Sequence, residues 1–490
     1  MAGKIGGKGE KKSLLKYAVA MMLASTGANA QTVNLQPGQR VFSTGERLDY
    51  DAGTLFVPEH HARPQQGSRI AIPFERYRAR HPSGAAPIFF LAGGPGSSAL
   101  DRLGEELRRK ELLFYSEFAD IVYFDQRSAG RSLPVMPCAD TVQLPLDRPS
   151  SAAERIAAMR GIATACRGYW KGRRVDLSAY TTPESVEDVV GLAKALGYRK
   201  ISLIGGSYGS HLGFSLMRLH PEIIDRAMLR GIEGPDDTYD VPSQTLGAIS
   251  RIAAAAEAAP ELAGLIPPGG LIAALRTVEA RLDAKPVTVT VDGKTITLGG
   301  DDVRLEIKTG ANRSGGWPAF VINMYNGDYS ELAKRALRDR TIILNGPEYY
   351  MMDCASGLSP ERKHAILSDP AKELLGDINE DYFATCDIWD APDLGSEFRS
   401  PVHSSIPMLV FEGTWDTSTP QENAIHDTAT FTNLIFAHVE GGTHSVTDDL
   451  YQSWAPMRET VRKFLEGGKP DLPSTIVLPR VIFEKPKPAN

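Results

Sequence analysis

The apolar positions of the chain first gather into two strand-like stretches, residues 47–58 and 68–80. Three short unbroken apolar runs follow, at 87–91 (PIFFL), 119–124 (ADIVYF) and 201–204 (ISLI), and a fourth begins at 227–229. Runs this short and this apolar fit strands covered on both faces, as in a parallel sheet. Between them, residues 185–196 place Val186, Val189, Val190, Leu192, Ala193 and Leu196 on one face of a helix. Strand–helix alternation predicts a mostly parallel sheet with helices on both sides. After about Asp237 the pattern changes. Residues 245–282 are rich in Ala and Leu at helical spacing, and 287–291, Asp292-Gly293 and 294–298 read as a hairpin with a type I′ turn. Helical, polar segments continue to about residue 400. Strand texture then returns at 407–412 (PMLVFE) and 434–439 (LIFAHV), and a helix is expected over 454–465. The pattern predicts an α/β domain of residues 31–236 and 400–466, interrupted by an insertion at 237–399, with a Pro-rich tail from 467 to 490 that is extended or partly loose. No internal repeat is found.

Composition narrows the class. The 490 residues are 42% hydrophobic and 23% charged with a net charge of −6, which excludes whole-chain disorder and a nucleic-acid binder built on positive field. The N-terminus stands apart. Lys4, Lys8, Lys11, Lys12 and Lys16 precede a short apolar run at 17–24, and Ala28-Asn29-Ala30 follows. This is the layout of a secretory signal peptide cleaved after Ala30. The run is too short to span a bilayer, no other segment is long and apolar enough, and Gln31 gives no lipid-attachment cysteine. Cleavage removes five lysines and Glu10, which moves the net charge to −10. A secreted or periplasmic location also bears on Cys138, Cys166, Cys354 and Cys386. They form no C-x-x-C pair, so no metal site is expected. In an oxidising compartment they allow three pairings or free thiols. The sequence-local pairing, Cys138–Cys166 and Cys354–Cys386, is expected.

Candidate chemistry sits at strand ends. The run ISLI leads into Gly205-Gly206-Ser207-Tyr208-Gly209, a G-x-S-x-G at a strand-to-helix junction. There the serine rides a sharp turn as a nucleophile. Such a serine needs a base, and the base an orienting acid. Asp416 follows the strand PMLVFE and His444 follows LIFAHV, in the order Ser, Asp, His. The glycine loop Ala92-Gly93-Gly94-Pro95-Gly96 after PIFFL suits an oxyanion hole, with Gly94 N–H and Tyr208 N–H as donors. The other nine histidines form no metal constellation, and no cofactor is expected.

These residues carry a family resemblance. Gly93-Gly94-Pro95-Gly96 resembles an HGGPG block, Asp125 to Ser132 (DQRSAGRS) a DQRGxGxS block, and Gly205 to Gly209 a GGSWG or GGSYG elbow. Leu229-Arg230-Gly231-Ile232 is similar to an LRGI segment, and the Thr-Pro after Asp416 to a C-terminal block. Together they resemble the α/β-hydrolase serine peptidases that include proline iminopeptidases and secreted tripeptidyl-aminopeptidase-like enzymes. The likeness covers about residues 45–236 and 400–465 and departs from the pattern at Ala92, where histidine is usual. It implies the α/β-hydrolase fold, a helical lid formed by the insertion, and removal of residues from peptide N-termini. It also implies lid-side carboxylates that bind the substrate's ammonium, for which Glu233, Asp236 and Asp237 are candidates. The expected substrate is a peptide or a small ester or amide, since a carboxylesterase or amidase on the same scaffold is the alternative. A serine at the elbow disfavours epoxide or haloalkane chemistry. Oligomeric state is not assigned.

Overall fold

The computed structural model describes residues 33–487. The expected signal peptide lies outside the described residues.

The strands are β1 (Gln36–Val41), β2 (Arg47–Pro58), β3 (Arg69–Tyr77), β4 (Ile88–Leu91), β5 (Ile121–Phe124), β6 (Val142–Gln143), β7 (Ile201–Ser207), β8 (Ile224–Ile232), β9 (Val287–Val291), β10 (Lys294–Leu298), β11 (Thr341–Ile342), β12 (Met408–Gly413), β13 (Leu434–Glu440) and β14 (Thr475–Val477). Ten of them form one sheet in the order β1-β2-β3-β5-β4-β7-β8-β12-β13-β14. β1, β2 and β3 pair antiparallel, and β3 meets β5 antiparallel. From β5 to β14 every pairing is parallel.

The unbroken apolar runs have a direct cause. On one face Phe89, Leu203, Leu229 and Val410 pack under α3 (Thr182–Ala195) and α4 (Tyr208–Leu219). On the other face Ile204, Met228, Leu409 and Phe411 pack with α1 (Glu106–Tyr115), α16 (Val446–Ser453) and α17 (Met457–Leu465). Neighbouring residues alternate between the faces, and both faces are buried. β7 extends past the expected ISLI to Ser207, because Gly205 and Gly206 still pair with Leu229 and Arg230 of β8.

The insertion between β8 and β12 has two parts. α5 (Pro242–Glu257), α6 (Gly270–Ala284), α7 (Gly300–Ala311), α8 (Trp317–Tyr325) and α9 (Ser330–Asp339) enclose a core of their own around Ile249, Leu275, Trp317 and Leu332. The β9–β10 hairpin closes it, and Asp292 and Gly293 take φ of 50° and 76°, as the type I′ turn requires. α10 (Pro347–Ser356) and α13 (Glu380–Trp389), with the short α11 (Pro360–Leu367), α12 (Lys372–Leu375) and α14 (Gly395–Arg399) beside them, form the second part. Here Tyr350, Met351, Met352 and Trp389 join the core under the sheet instead. α15 (Gln421–Thr428) follows β12.

Two disulfides brace this architecture. Cys138–Cys166 fastens α2 (Ala152–Gly172) to the loop before it, and Cys354–Cys386 joins α10 to α13, with Cα–Cα distances of 5.3 and 5.4 Å. The tail is more ordered than its proline content suggests. β14 adds in parallel to β13, and beyond it Arg480, Phe483, Glu484 and Lys487 bind Glu261, Gly315 and Asp328 of the insertion. Among the described residues no helix is long and apolar enough to cross a membrane.

Candidate active site

β7 turns into α4 at Ser207, which sits at φ 56° and ψ −136°, a backbone region that side chains other than glycine rarely adopt. Its neighbours must be small. A Cβ on Gly209 would fall on the carbonyl of Leu91 in β4, and one on Gly206 would stand 2.8 Å from Arg230 Cγ. The motif's glycines are therefore required by close approach of backbone and of one side chain.

Asp416 lies just past β12 and is fully buried. Its Oδ1 accepts from Ser418 N–H at 2.8 Å and Thr419 N–H at 2.9 Å, and its Oδ2 from Thr419 Oγ1–H at 2.9 Å. His444 Nδ1 lies 2.8 Å from Oδ2, close enough to donate its proton there. Burial works to raise the Asp416 carboxyl, but His444 and these hydrogen bonds outweigh it and hold the group below its ordinary range. Glu412, buried next to it, moves the other way. Burial and then the charge of Asp416 push it well above the carboxylate range. The imidazole rests on Gly231, where a Cβ would stand 3.2 Å from His444 Cε1.

Ser207 and His444 line one cavity of about 310 Å³ together with Gly93 and Gly94. Among the described residues no hydrogen bond joins Ser207 Oγ to His444; such bonds are often long before substrate binds. The glycine loop presses on the elbow, so that a Cβ on Gly93 would be 3.2 Å from Ser207 Cβ. Gln126 and Asp125 brace this loop. Gln126 Nε2 donates to Ala92 O at 2.8 Å, and Asp125 accepts from Ser98 Oγ, Leu100 N and Arg131 N. Tyr208 opens α4, where backbone N–H groups lack helical partners.

The three candidate acids separate. Asp237 pairs with Arg362, and Asp236 accepts from Ser359 N–H at 2.7 Å, so both are engaged by the insertion. Glu233 is buried without an ion-pair partner among the described residues. Its N–H donates to Ser210 Oγ, which in turn donates to Ser207 O. Burial and then Asp353 push its carboxyl well up.

Asp353 and Glu348 were not singled out from the sequence. Both lie on α10, in no local motif. Asp353 is buried, accepts from Tyr382 Oη–H at 2.7 Å through Oδ2, and leaves Oδ1 without a partner. Glu348 leaves Oε2 without a partner, and its Oε1 would stand 3.5 Å from a Cβ on Gly96 of the glycine loop. Burial lifts its carboxyl to about 8. The rings of Tyr239 and Tyr349 flank Tyr382 at 5.0 and 6.0 Å. Glu348 thus approaches the glycine loop, and Asp353 is set among tyrosine rings, but neither lines the Ser207 cavity.

Residues 86–264 match the family described as alpha/beta hydrolase fold, and residues 373–475 match the TAP-like protein family. The tripeptidyl aminopeptidase of Streptomyces lividans is 27% identical over 192 residues, covering 37% of this chain and 35% of that protein. The proline iminopeptidase of Xylella fastidiosa (strain Temecula1) is 29% identical over 188 residues, covering 38% and 41%. The matches therefore span well under half the length of these relatives. An esterase structure from Thermogutta terrifontis matches with a TM-score of 0.35 and 16% identity over 84% of this chain and 97% of that one, too loosely to argue from. The parallel sheet, the strand–elbow–helix junction and the family matches make this chain an α/β hydrolase by fold, with its sequence likeness on the side of the tripeptidyl aminopeptidases and proline iminopeptidases.

Proposed function

We propose that the protein is an exported serine hydrolase that releases residues from the free N-terminus of peptides. The observation that carries the reading is the hydrogen bond between His444 and the buried, ionised Asp416, at a cavity that also holds the strained Ser207. In this mechanism His444 Nε2 takes the proton of Ser207 Oγ as the serine attacks the substrate carbonyl. Asp416 keeps the imidazole oriented and stabilises it when charged. Gly94 and Tyr208 N–H groups receive the oxyanion. His444 then gives its proton to the leaving amine, and water, activated in the same way, frees the acyl group.

Glu233, Asp353 and Glu348 are the groups that would take the substrate's ammonium. Each is buried without an ion-pair partner among the described residues; Glu233 bonds through Ser210 to the Ser207 carbonyl and Glu348 approaches Gly96 of the glycine loop, and a cation arriving there would favour the carboxylate form. The names of the matched relatives point the same way, and the two disulfides suit an oxidising compartment.

The decisive test compares aminoacyl, tripeptidyl and N-blocked chromogenic amides with short-chain esters, in the wild type and in Ser207→Ala. The expected result is fast cleavage of free-amine substrates, abolished in Ser207→Ala with the thermal midpoint kept. Equal rates on N-blocked amides reject the exopeptidase reading, and a strong preference for esters gives the carboxylesterase or amidase alternative. Sequencing of the exported protein should begin at Gln31; retention of residues 1–30 rejects cleavage.

A further inference from the structure

Arg230 belongs to the LRGI segment and has no part in the mechanism above. It sits on β8 opposite Gly206 of β7, the residue just before the serine. Its side chain crosses that neighbour closely: a Cβ at Gly206 would lie 2.8 Å from its Cγ, 2.9 Å from its Cζ and 3.0 Å from its Nη1. Beyond Gly206 it reaches the loop between β13 and α16, where Nη1–H donates to the carbonyl of His444 at 2.8 Å. One side chain therefore lies against the strand that carries the nucleophile and holds the main chain of the base.

The other ties of that loop leave this function open. Trp415 N–H donates to Gly442 O at 2.9 Å, and Thr443 N–H and Oγ1–H donate to Asp449 Oδ2, each at 2.9 Å. These fix Gly442 and Thr443, and Ser445 is held too, its N–H donating to Thr443 Oγ1 at 3.2 Å and its carbonyl accepting from Asp448 N–H at 2.8 Å, yet none of these bonds reaches the His444 carbonyl. Among the described residues, the hydrogen bond to the His444 carbonyl comes from Arg230. The imidazole can pivot about its bond to Asp416, so the height of its main chain decides where Nε2 falls relative to Ser207.

The use of a guanidinium for this is also informative. Arg230 forms no salt bridge among the described residues. The acids nearby are engaged with Arg108, which pairs with Glu111 and, at 3.3 Å, with Asp448. Burial, and then repulsion from Arg108, lower the guanidinium's proton affinity. A half-buried cation donating to a carbonyl forms a stronger hydrogen bond than a neutral donor would.

We infer that Arg230 is a positioning residue of the catalytic triad, acting through the His444 carbonyl to set the base against the Ser207 strand. The inference rests on the triad reading above. Arg230 also lines the Ser207 cavity, so its removal leaves a guanidinium-shaped space open to small solutes.

The test uses the full-length exported protein and reads two things: the rate of Ser207 labelling by a fluorophosphonate, and steady-state hydrolysis of an activated ester. Arg230→Ala should lower kcat and the labelling rate by about 10- to 100-fold while KM changes less than about threefold. Millimolar guanidinium ion should restore at least a tenth of the lost rate, and tetramethylammonium should not. Arg230→Met, which keeps bulk without donors, should show the same kcat loss with the wild-type thermal midpoint, and serves if the alanine variant does not fold. Wild-type labelling and turnover in Arg230→Met overturn the inference. So does a loss in Arg230→Ala that guanidinium leaves unchanged. Absence of labelling in the wild type would instead overturn the triad reading, so the two failures are distinct.

Discussion

Glu348 sits over the glycine loop with one oxygen unpartnered, and burial raises its carboxyl from 4.5 to about 8. The folded chain therefore holds a proton there that the unfolded chain releases. The protonated form supports the fold fully below about pH 4.5, and that support is lost as pH rises through 8. Glu348→Gln is neutral at every pH. Its thermal midpoint should match the wild type near pH 4 and exceed it by a few degrees at pH 8.5, a gap that differential scanning calorimetry would read. The same variant should raise KM for free-amine substrates about tenfold and leave N-blocked esters unchanged. A midpoint gap that does not grow with pH would show that the carboxyl titrates normally. The residues proposed as a triad stand out in the chain because each lies in a short glycine- or threonine-rich turn at a strand end. Glu348 and Asp353 could not, because what makes them notable is where α10 is packed, and no local pattern encodes that. Arg230 was visible as a letter in a motif, but its reach across Gly206 to His444 exists only in three dimensions.

At the scale of elements, α2 and α13 show how the insertion is fastened. Arg155, Arg160 and Arg167 on α2 meet Glu380 and Asp387 of α13 and Asp390 just after it. α2 starts with a capping box, in which Ser151 Oγ accepts from Glu154 N–H and the Glu154 carboxylate accepts from Ser151 N–H. Ser151→Ala should cost about 1 kcal/mol in urea unfolding, with kcat unchanged because neither Ser151 nor Glu154 lines the Ser207 cavity. A loss of activity equal to the loss of stability would mean that α2 placement reaches the site. The central strands were legible because burial on both faces leaves an unbroken apolar run. The edge strands were not. β1 reads QPGQRV and is mostly exposed, and β14 has only three residues, one of them buried. The hairpin was legible to the residue because Asp292-Gly293 fits a turn with two positive φ values.

At the scale of the molecule, the tail behaves as a strap. β14 completes the sheet, and the residues beyond it cross to the insertion, where Phe483 joins the insertion's own core and faces Trp415 at 6.2 Å. Trp415 is the neighbour of Asp416, so the strap, the insertion and the acid loop share one contact region. Truncation after Val477 should lower the thermal midpoint by several degrees and raise KM more than it lowers kcat. An unchanged KM would show that the insertion holds its position without the strap. The order of the sheet has a kinetic consequence too. β8 and β12 are paired neighbours, yet about 175 residues of chain separate them. Loop-closure entropy rises slowly with length, by about 0.6 kcal/mol per doubling, and collapse of the insertion on its own core draws the two ends together first. His444 packs on Gly231 of β8, while Asp416 follows β12, so the proposed base and acid straddle the seam between β8 and β12. On refolding with disulfides intact, helical signal should return well before fluorophosphonate labelling of Ser207, and the interval between them measures the time this seam takes to zip.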